Sequence, residues 1–171
     1  TLLKSSALTL SAETFKMHIA IVLHQKEYNK AVHKWRTQSK MLQHNPLMQL
    51  EFSELEEKLA QDAGELRNIY SGKNFRQYIL KDGEVVGNVS LKEINPMMKT
   101  AEIGYGVDQD FHGQGIGYLA VKLWVEKIFK ETDLRRVTAL VDETNIPSCK
   151  ILEKIGSKRE GVLREHFLIN G

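Results

Sequence analysis

Phe111-His112-Gly113-Gln114-Gly115-Ile116-Gly117-Tyr118-Leu119-Ala120 decides how this chain is read. A strand-like run over 100–107 precedes it and an amphipathic helical run over 118–130 follows, so three glycines lie where strand gives way to helix. Glycine can take positive φ and offers no Cβ to an approaching ligand, and the first N–H groups of a helix have no partner inside it. Together with the positive end of the helix dipole, those N–H groups suit a phosphate or pyrophosphate. The plain alternative is a loop and a helix start with no ligand at all.

Two ligand readings compete for this turn. Gly115-x-Gly117-x-x-Ala120 fits the dinucleotide fingerprint, and the next strand-like run, 136–141, leads to Asp142 and Glu143, near the place of a ribose-binding acid. The loop from Val107 to Gly115 is long and polar where that fingerprint wants a tight turn, and only 30 residues follow Val141, too few for the second half of a doubly wound sheet. His112-Gly113-Gln114-Gly115-Ile116-Gly117 fits better the pattern Arg/Gln-x-x-Gly-x-Gly/Ala of an acyl-CoA pyrophosphate loop, with His112 standing where Arg or Gln is usual.

At 171 residues, 42% hydrophobic and 27% charged, the chain can bury one core and is expected to form a single domain over 1–171. A net charge of +2 from 24 basic and 22 acidic residues argues against a broad nucleic-acid or membrane footprint. Cys149 is the one cysteine, so no intrachain disulfide forms and the chain suits a reducing compartment, with the cytoplasm as the default. No signal peptide and no run of membrane-spanning length is visible.

In chain order, 2–10 reads as an opening strand ending at Ser11, and 12–38 favours helix, with Phe15, Ile19, Val22 and Leu23 on one face and a break near 24–29. His18, His24, His33 and His44 have no closed ligand spacing, so solvated or capping roles are expected and no metal. Ser53-Glu54-Leu55-Glu56 is a capping-box pattern, and Leu55, Leu59, Ala63, Leu66 and Ile69 carry an apolar stripe to about Tyr70. Runs at 75–80 and 84–94 flank the Asp82-Gly83 hairpin turn, and with 100–107 they suggest an antiparallel meander. A helix at 118–130, a strand at 134–141, a helix at 148–155 opened by Pro147, and a final strand at 159–169 complete the order.

Three separated motifs now stand in sequence: Ala101-Glu102-Ile103-Gly104-Tyr105-Gly106-Val107, the loop from His112 to Gly117, and Asn145-x-x-Ser148-x-x-x-Leu152-Glu153-Lys154-Ile155-Gly156, with Glu160-Gly161-Val162-Leu163-Arg164 after them. In this order they resemble the GNAT acetyltransferase superfamily, and within it the branch that acetylates N-termini of ribosomal proteins. The resemblance covers 75–171 and more loosely the whole chain. It implies an α+β fold with a mixed, mostly antiparallel sheet flanked by helices, acetyl-CoA as co-substrate, no metal, and a primary amine as acceptor, such as a ribosomal protein N-terminus or a small molecule. It allows a homodimer, and the family usually carries further strand beyond the position of Gly171.

By that resemblance, the backbone at Tyr105, Gly106 and Val107 meets the pantetheine arm and the acetyl carbonyl, where a backbone N–H can stabilise the developing oxyanion. His112, Gly113, Gln114, Gly115, Ile116, Gly117 and Tyr118 cradle the pyrophosphate, and Asn145 bonds the pantetheine. Many members place an acidic tyrosine seven residues after that Asn, where this chain has Leu152; the ribosomal branch has a serine three residues after it, which matches Ser148. Helix capping is the plain alternative for Asn145 and Ser148. The branch's basic carboxylate falls at Phe167 here, which leaves Glu165, of the same strand parity, and Glu102 as candidates, with plain surface charge as the competing role. Lacking the usual acid and base, the chain could also be a CoA-binding regulatory module; a dinucleotide binder is the remaining alternative.

Overall fold

The computed structural model describes residues 9–11, 17–45, 49–62 and 64–168. Six strands lie in one sheet in chain order: β1 (Thr9–Ser11), β2 (His18–Val22), β3 (Phe75–Lys81), β4 (Glu84–Asn95), β5 (Thr100–Val107) and β6 (Arg136–Thr138). Every neighbouring pair is antiparallel except β5 and β6. A parallel neighbour needs a crossover, and α4 (Ile116–Glu131) supplies it. The fold is α+β, as the resemblance implies. No helix among the described residues is long and apolar enough to cross a membrane.

Alternation along the strands gives the sheet two apolar faces. On one, α4 buries Ile116, Ala120, Val121, Leu123, Trp124 and Ile128 against Ile19, Ile79, Val89, Leu91, Ala101 and Ile103. The indole of Trp124 is fully enclosed, and its Nε1 donates to the backbone oxygen of Ser90 at 3.0 Å, so no polar atom is stranded there. The other face carries Tyr78 beneath Val32 and Trp35 of α1 (Asn29–Arg36) and Leu55 and Leu59 of α3 (Phe52–Gln61). Each side chain of this size, fully buried, contributes about 1.5–3 kcal/mol of transfer free energy. Between α1 and α3 lies the short α2 (Ser39–His44), whose Met41 packs on the same cluster.

Three local expectations need correction. His18–Val22 is a strand and not helix, because Ile19, Ile21 and Val22 are β-branched and Ala20, Ile19 and Ile21 are buried between β1 and β3. The expected helix start at 12–16 falls outside the described residues, as do 1–8 of the opening strand. Helix α3 begins two residues earlier than the Ser53 pattern suggests, capped at Glu51 with Glu54 reaching back to the Glu51 N–H at 3.1 Å, and it ends at Gln61 instead of running to Tyr70. Strand β6 is three residues long where eight were expected, and 139–142 leave the sheet.

The largest departure is at the C-terminal end. No strand forms over 159–168; Glu165 sits in a turn at φ 54, and Val162, Leu163, Phe167 and Leu168 are exposed. A strand needs a neighbour for its backbone groups, and the left-handed residue at Glu165 interrupts the extended run that would supply one. Residue 169 lies outside the described residues. Helix α5 (Ile146–Lys154) precedes this segment with Pro147 in its first turn.

Candidate active site

Strand β5 is paired on one side from Glu102 to Val107 and again at Thr100, but on the other for only three residues. Its register with β4 runs to Gly87–Val107, whereas its register with β6 stops at Glu102–Thr138. From Ile103 onward the outer edge of β5 has no strand beside it, because 139–145 diverge towards α5. The gap so formed opens beside Gly104, Tyr105 and Gly106. A strand edge with unpaired N–H and C=O groups is a template for an extended ligand.

The glycines of β5 answer to close approach and not to a bulge, since the register with β4 is unbroken from Gly87 to Lys92. A Cβ at Gly104 would come within 2.6 Å of Ser90 Oγ, and one at Gly106 within 2.8 Å of Met41 Cε. Both point to the face under α2. Tyr105, of opposite parity, points to the α5 face. Its hydroxyl donates to the backbone oxygen of Ser148 at 3.2 Å, and Ser148 Oγ donates to the Tyr105 oxygen at 3.0 Å. Burial pushes the Tyr105 phenol up, and the Ser148 hydrogen bond opposes that only in part. The pair spans the gap from β5 to α5.

Asn145 is the cap of α5: its Oδ1 accepts the Ser148 backbone N–H at 3.3 Å. The Ser148 side chain does not cap; it is turned to Tyr105. The two candidate carboxylates are held elsewhere. Glu102 is paired with Lys92 at 2.9 Å on the face away from Tyr105. Glu165 is exposed in its turn, so the strand parity that linked it to Phe167 is absent.

Past Val107, Asp108 is 4% exposed and accepts from the Asp110 N–H at 2.9 Å, from Gln38 Nε2 at 2.8 Å and from Lys34 Nζ at 3.3 Å. Burial raises the Asp108 carboxyl, but the bonds from Asp110, Gln38 and Lys34 together outweigh it and hold it below the ordinary carboxylate value. This anchor ties α1 and the start of α2 to the root of the glycine turn. The His112 ring folds back, with Nε2 2.8 Å from the Val107 oxygen, so the imidazole braces the turn.

Gly113 and Gly115 have φ 79 and 78, and the space where a Cβ would stand at either is empty. Gly115 is the N-cap of α4 and offers no side chain to the first N–H groups of that helix. Those donors and the open space above the two glycines suit an anionic group. Gly117 has a different reason to be glycine: a Cβ there would meet Ile151 Cδ1 at 2.8 Å, so it permits α4 and α5 to pack closely. Lys154 of α5 stands over the Tyr118 ring at 4.2 Å, placing a cation beside the first turn of α4. Gln114 and Ile116 flank Gly115, with Ile116 buried in the core. A hollow of about 700 Å³ lined by Leu66, Tyr70, Lys130 and Asp133 lies past the other end of α4 and carries none of these groups.

Residues 19–158 match the family model described as the acetyltransferase (GNAT) domain, and the chain belongs to that family. It is 38% identical over 99 residues to the probable N-acetyltransferase YjcK of Bacillus subtilis, covering 57% of this chain and 55% of YjcK. It is 33% identical over 97 residues to spermidine N(1)-acetyltransferase of Escherichia coli, covering 56% of this chain and 52% of that enzyme. Thus the chain spans about half the length of the curated relatives it matches. Among solved structures, RimL, a ribosomal alpha-N-protein acetyltransferase in complex with coenzyme A, superposes with a TM-score of 0.78 at 21% identity, over 90% of this chain and 87% of that one. That likeness is one of fold.

Three parts of the site escaped sequence reasoning. Only the backbone of Tyr105 was singled out, although a tyrosine between two glycines on a strand is itself a signal. Lys34, Gln38 and Asp108 carry no motif and meet only through the docking of α1. The contact of His44 Nδ1 with Asp142 Oδ2 at 2.7 Å joins residues separated by 98 positions, for which no local pattern exists.

Proposed function

We propose that this chain, read as one domain over 1–171, binds acetyl-CoA along the open edge of β5 and transfers the acetyl group to a primary amine by direct attack, with both substrates bound together. The observation that carries this reading is the Ser148 and Tyr105 hydroxyl pair, which bridges the β5 gap a short way from a bare, glycine-lined helix start. The pyrophosphate is held by backbone N–H groups of Gly113, Gln114, Gly115, Ile116, Gly117 and Tyr118 over the α4 N-terminus, with Lys154 supplying positive charge and His112 holding the turn in shape. Asn145 uses its Oδ1 for the Ser148 N–H, which leaves its amide N–H groups for a pantetheine carbonyl.

In the transfer, the amine nitrogen forms a bond to the thioester carbon while the carbon–sulfur bond breaks. Backbone N–H groups at Tyr105, Gly106 and Val107 oppose the charge that develops on the carbonyl oxygen. The departing thiolate, of pKa about 8 to 9, leaves more readily if protonated, and Ser148 is the donor beside it. Spermidine and a protein N-terminus, named for the relatives above, are both primary amines, which supports that acceptor class here. The lone cysteine suits a reducing, cytoplasmic setting.

A panel of polyamines, aminoglycosides, amino acids and N-terminal peptides, scored by CoA release alongside calorimetry for acetyl-CoA, tests the reading. Amine-dependent CoA release is the expected result. Acetyl-CoA binding without release for any amine would convert the assignment to a CoA-binding regulatory module. NAD binding with no CoA binding would convert it to a dinucleotide binder.

A further inference from the structure

The face of β5 opposite Ser148 carries Glu102, which is paired with Lys92 at 2.9 Å, and a second group suited to the role of base. Helix α2 crosses the β5 gap. At its start the Lys40 N–H reaches Gln109 Oε1 at 3.4 Å, just past β5; in its middle Met41 covers Gly106; at its end His44 meets Asp142, which follows β6. Met41 and His44 are three apart and so share a helix face, the one turned to the gap.

The imidazole is fixed on one side and open on the other. Asp142 Oδ1 accepts the Thr144 N–H and the Thr144 hydroxyl, each at 2.9 Å, so its Oδ2 is left for His44 Nδ1 at 2.7 Å. The His44 contact, followed by the Thr144 N–H, holds the Asp142 carboxyl below its ordinary value, which keeps it an acceptor. With Nδ1–H donated to Asp142, the Nε2 lone pair is exposed, and Nε2 has no hydrogen-bond partner among the described residues. Charged groups on the surrounding elements are engaged elsewhere: Glu143 with Arg159, Glu102 with Lys92, Asp108 and Asp110 with Lys34. Lys40 on α2 and Cys149 and Lys150 on α5 are the other titratable side chains nearest in the chain, and the Cys149 thiol lies 4.0 Å from the Asp142 carbonyl.

We propose that His44 is the general base of the transfer and that Asp142 is its positioning residue. This rests on the acetyl-transfer reading above. As the amine nitrogen bonds to the thioester carbon, its proton passes to His44 Nε2, while the carbon–sulfur bond breaks and the thiolate takes the Ser148 hydroxyl proton; Ser148 then recovers a proton from water and His44 releases its own to water, which its 22% side-chain exposure permits. Acid and base thus stand on opposite faces of one strand edge.

The test is the pH profile of kcat/KM with an amine the wild type acetylates, read together with acetyl-CoA affinity and Tm. Wild type is expected to lose activity on acidification, because the base must be neutral to accept the proton of the amine. His44→Gln is expected to lose on the order of 10²-fold in kcat and to lose that acid limb, with acetyl-CoA affinity unchanged. Asp142→Asn keeps the ring but can donate to Nδ1, which favours the tautomer with Nε2 protonated, so its plateau should fall as well. Added imidazole should restore part of the rate to His44→Ala, which a purely structural role would not allow. A His44→Gln variant that keeps its rate and acid limb overturns the assignment while leaving acetyl transfer intact. If the His44 variants fail to fold, an undiminished plateau in Asp142→Asn overturns it equally. Wild type that binds acetyl-CoA but releases no CoA with any amine overturns acetyl transfer itself, and this role with it.

Discussion

Removing the Ser148 hydroxyl should separate chemistry from stability, because the structure assigns the two to different atoms. The cap of α5 is Asn145 Oδ1, which bonds the Ser148 backbone N–H and so survives Ser148→Ala. What is lost is one half-buried hydroxyl bond to Tyr105, worth about 0.5–1.5 kcal/mol, and Tyr105 keeps its own donation to the Ser148 backbone oxygen. If Ser148 protonates the leaving thiolate, kcat should fall roughly 10²-fold, about 2.7 kcal/mol of barrier, while acetyl-CoA affinity barely moves. Thermal unfolding and steady-state CoA release on one preparation provide both readings. A Ser148→Ala variant with kcat within about threefold of wild type would refute Ser148 as the acid and turn attention to the Tyr105 phenol, which Tyr105→Phe then tests.

Gly115→Val places a β-branched residue at φ 78, over the α4 N-terminus, and should raise the dissociation constant for acetyl-CoA at least about tenfold, or about 1.4 kcal/mol by calorimetry. A Cβ at Gly87 would run into the backbone oxygen of Gly106, so Gly87→Ala should destabilise by about 1–3 kcal/mol, seen as a lowered Tm, by forcing β4 away from β5. Asn145→Ala, which removes the true cap, should cost about 1 kcal/mol of stability in denaturant unfolding, and a change indistinguishable from zero would contradict the cap. Asp108 has its folded pKa below the ordinary value, so its contribution is present above about pH 4 and is lost as pH falls through the lower folded value. The Tm difference between wild type and Asp108→Asn should therefore be largest near neutrality and shrink towards pH 3.

Strands β3, β4 and β5 could be read almost to the residue, because a hairpin turn at Asp82 and Gly83, both at positive φ, and period-two burial leave little freedom. The glycine turn was equally visible, since its residues owe their identity to local backbone angles. Elements whose identity depends on a neighbour were not. His18–Val22 carries a helix-like spacing with Phe15 and Leu23, and only its burial between two strands makes it β. The last segment has a strand's composition, but among the described residues no strand takes it up. The same division runs through the site. Gly113 and Gly115 declare themselves by conformation, whereas Gly117 looks like a third member of the loop and is a packing glycine against Ile151.

The parity of β5 explains why the motifs reveal the groups on one of its faces and not those on the other. Successive residues of a strand face opposite ways, so Tyr105 reaches Ser148 on the α5 face while Gly104 and Gly106 leave the other face bare for Ser90 and for Met41 of α2. A thioester along the edge between those faces can be approached from either. The Ser148 side follows the motif, because Ser148 lies in the same helix start as Asn145. The opposite side is built by α2, whose helix has no motif and which meets the β6 end of the gap through His44 and Asp142. Side chains brought together by helix docking of this kind carry no local sequence signature, which is why residues 98 positions apart were not paired from the sequence.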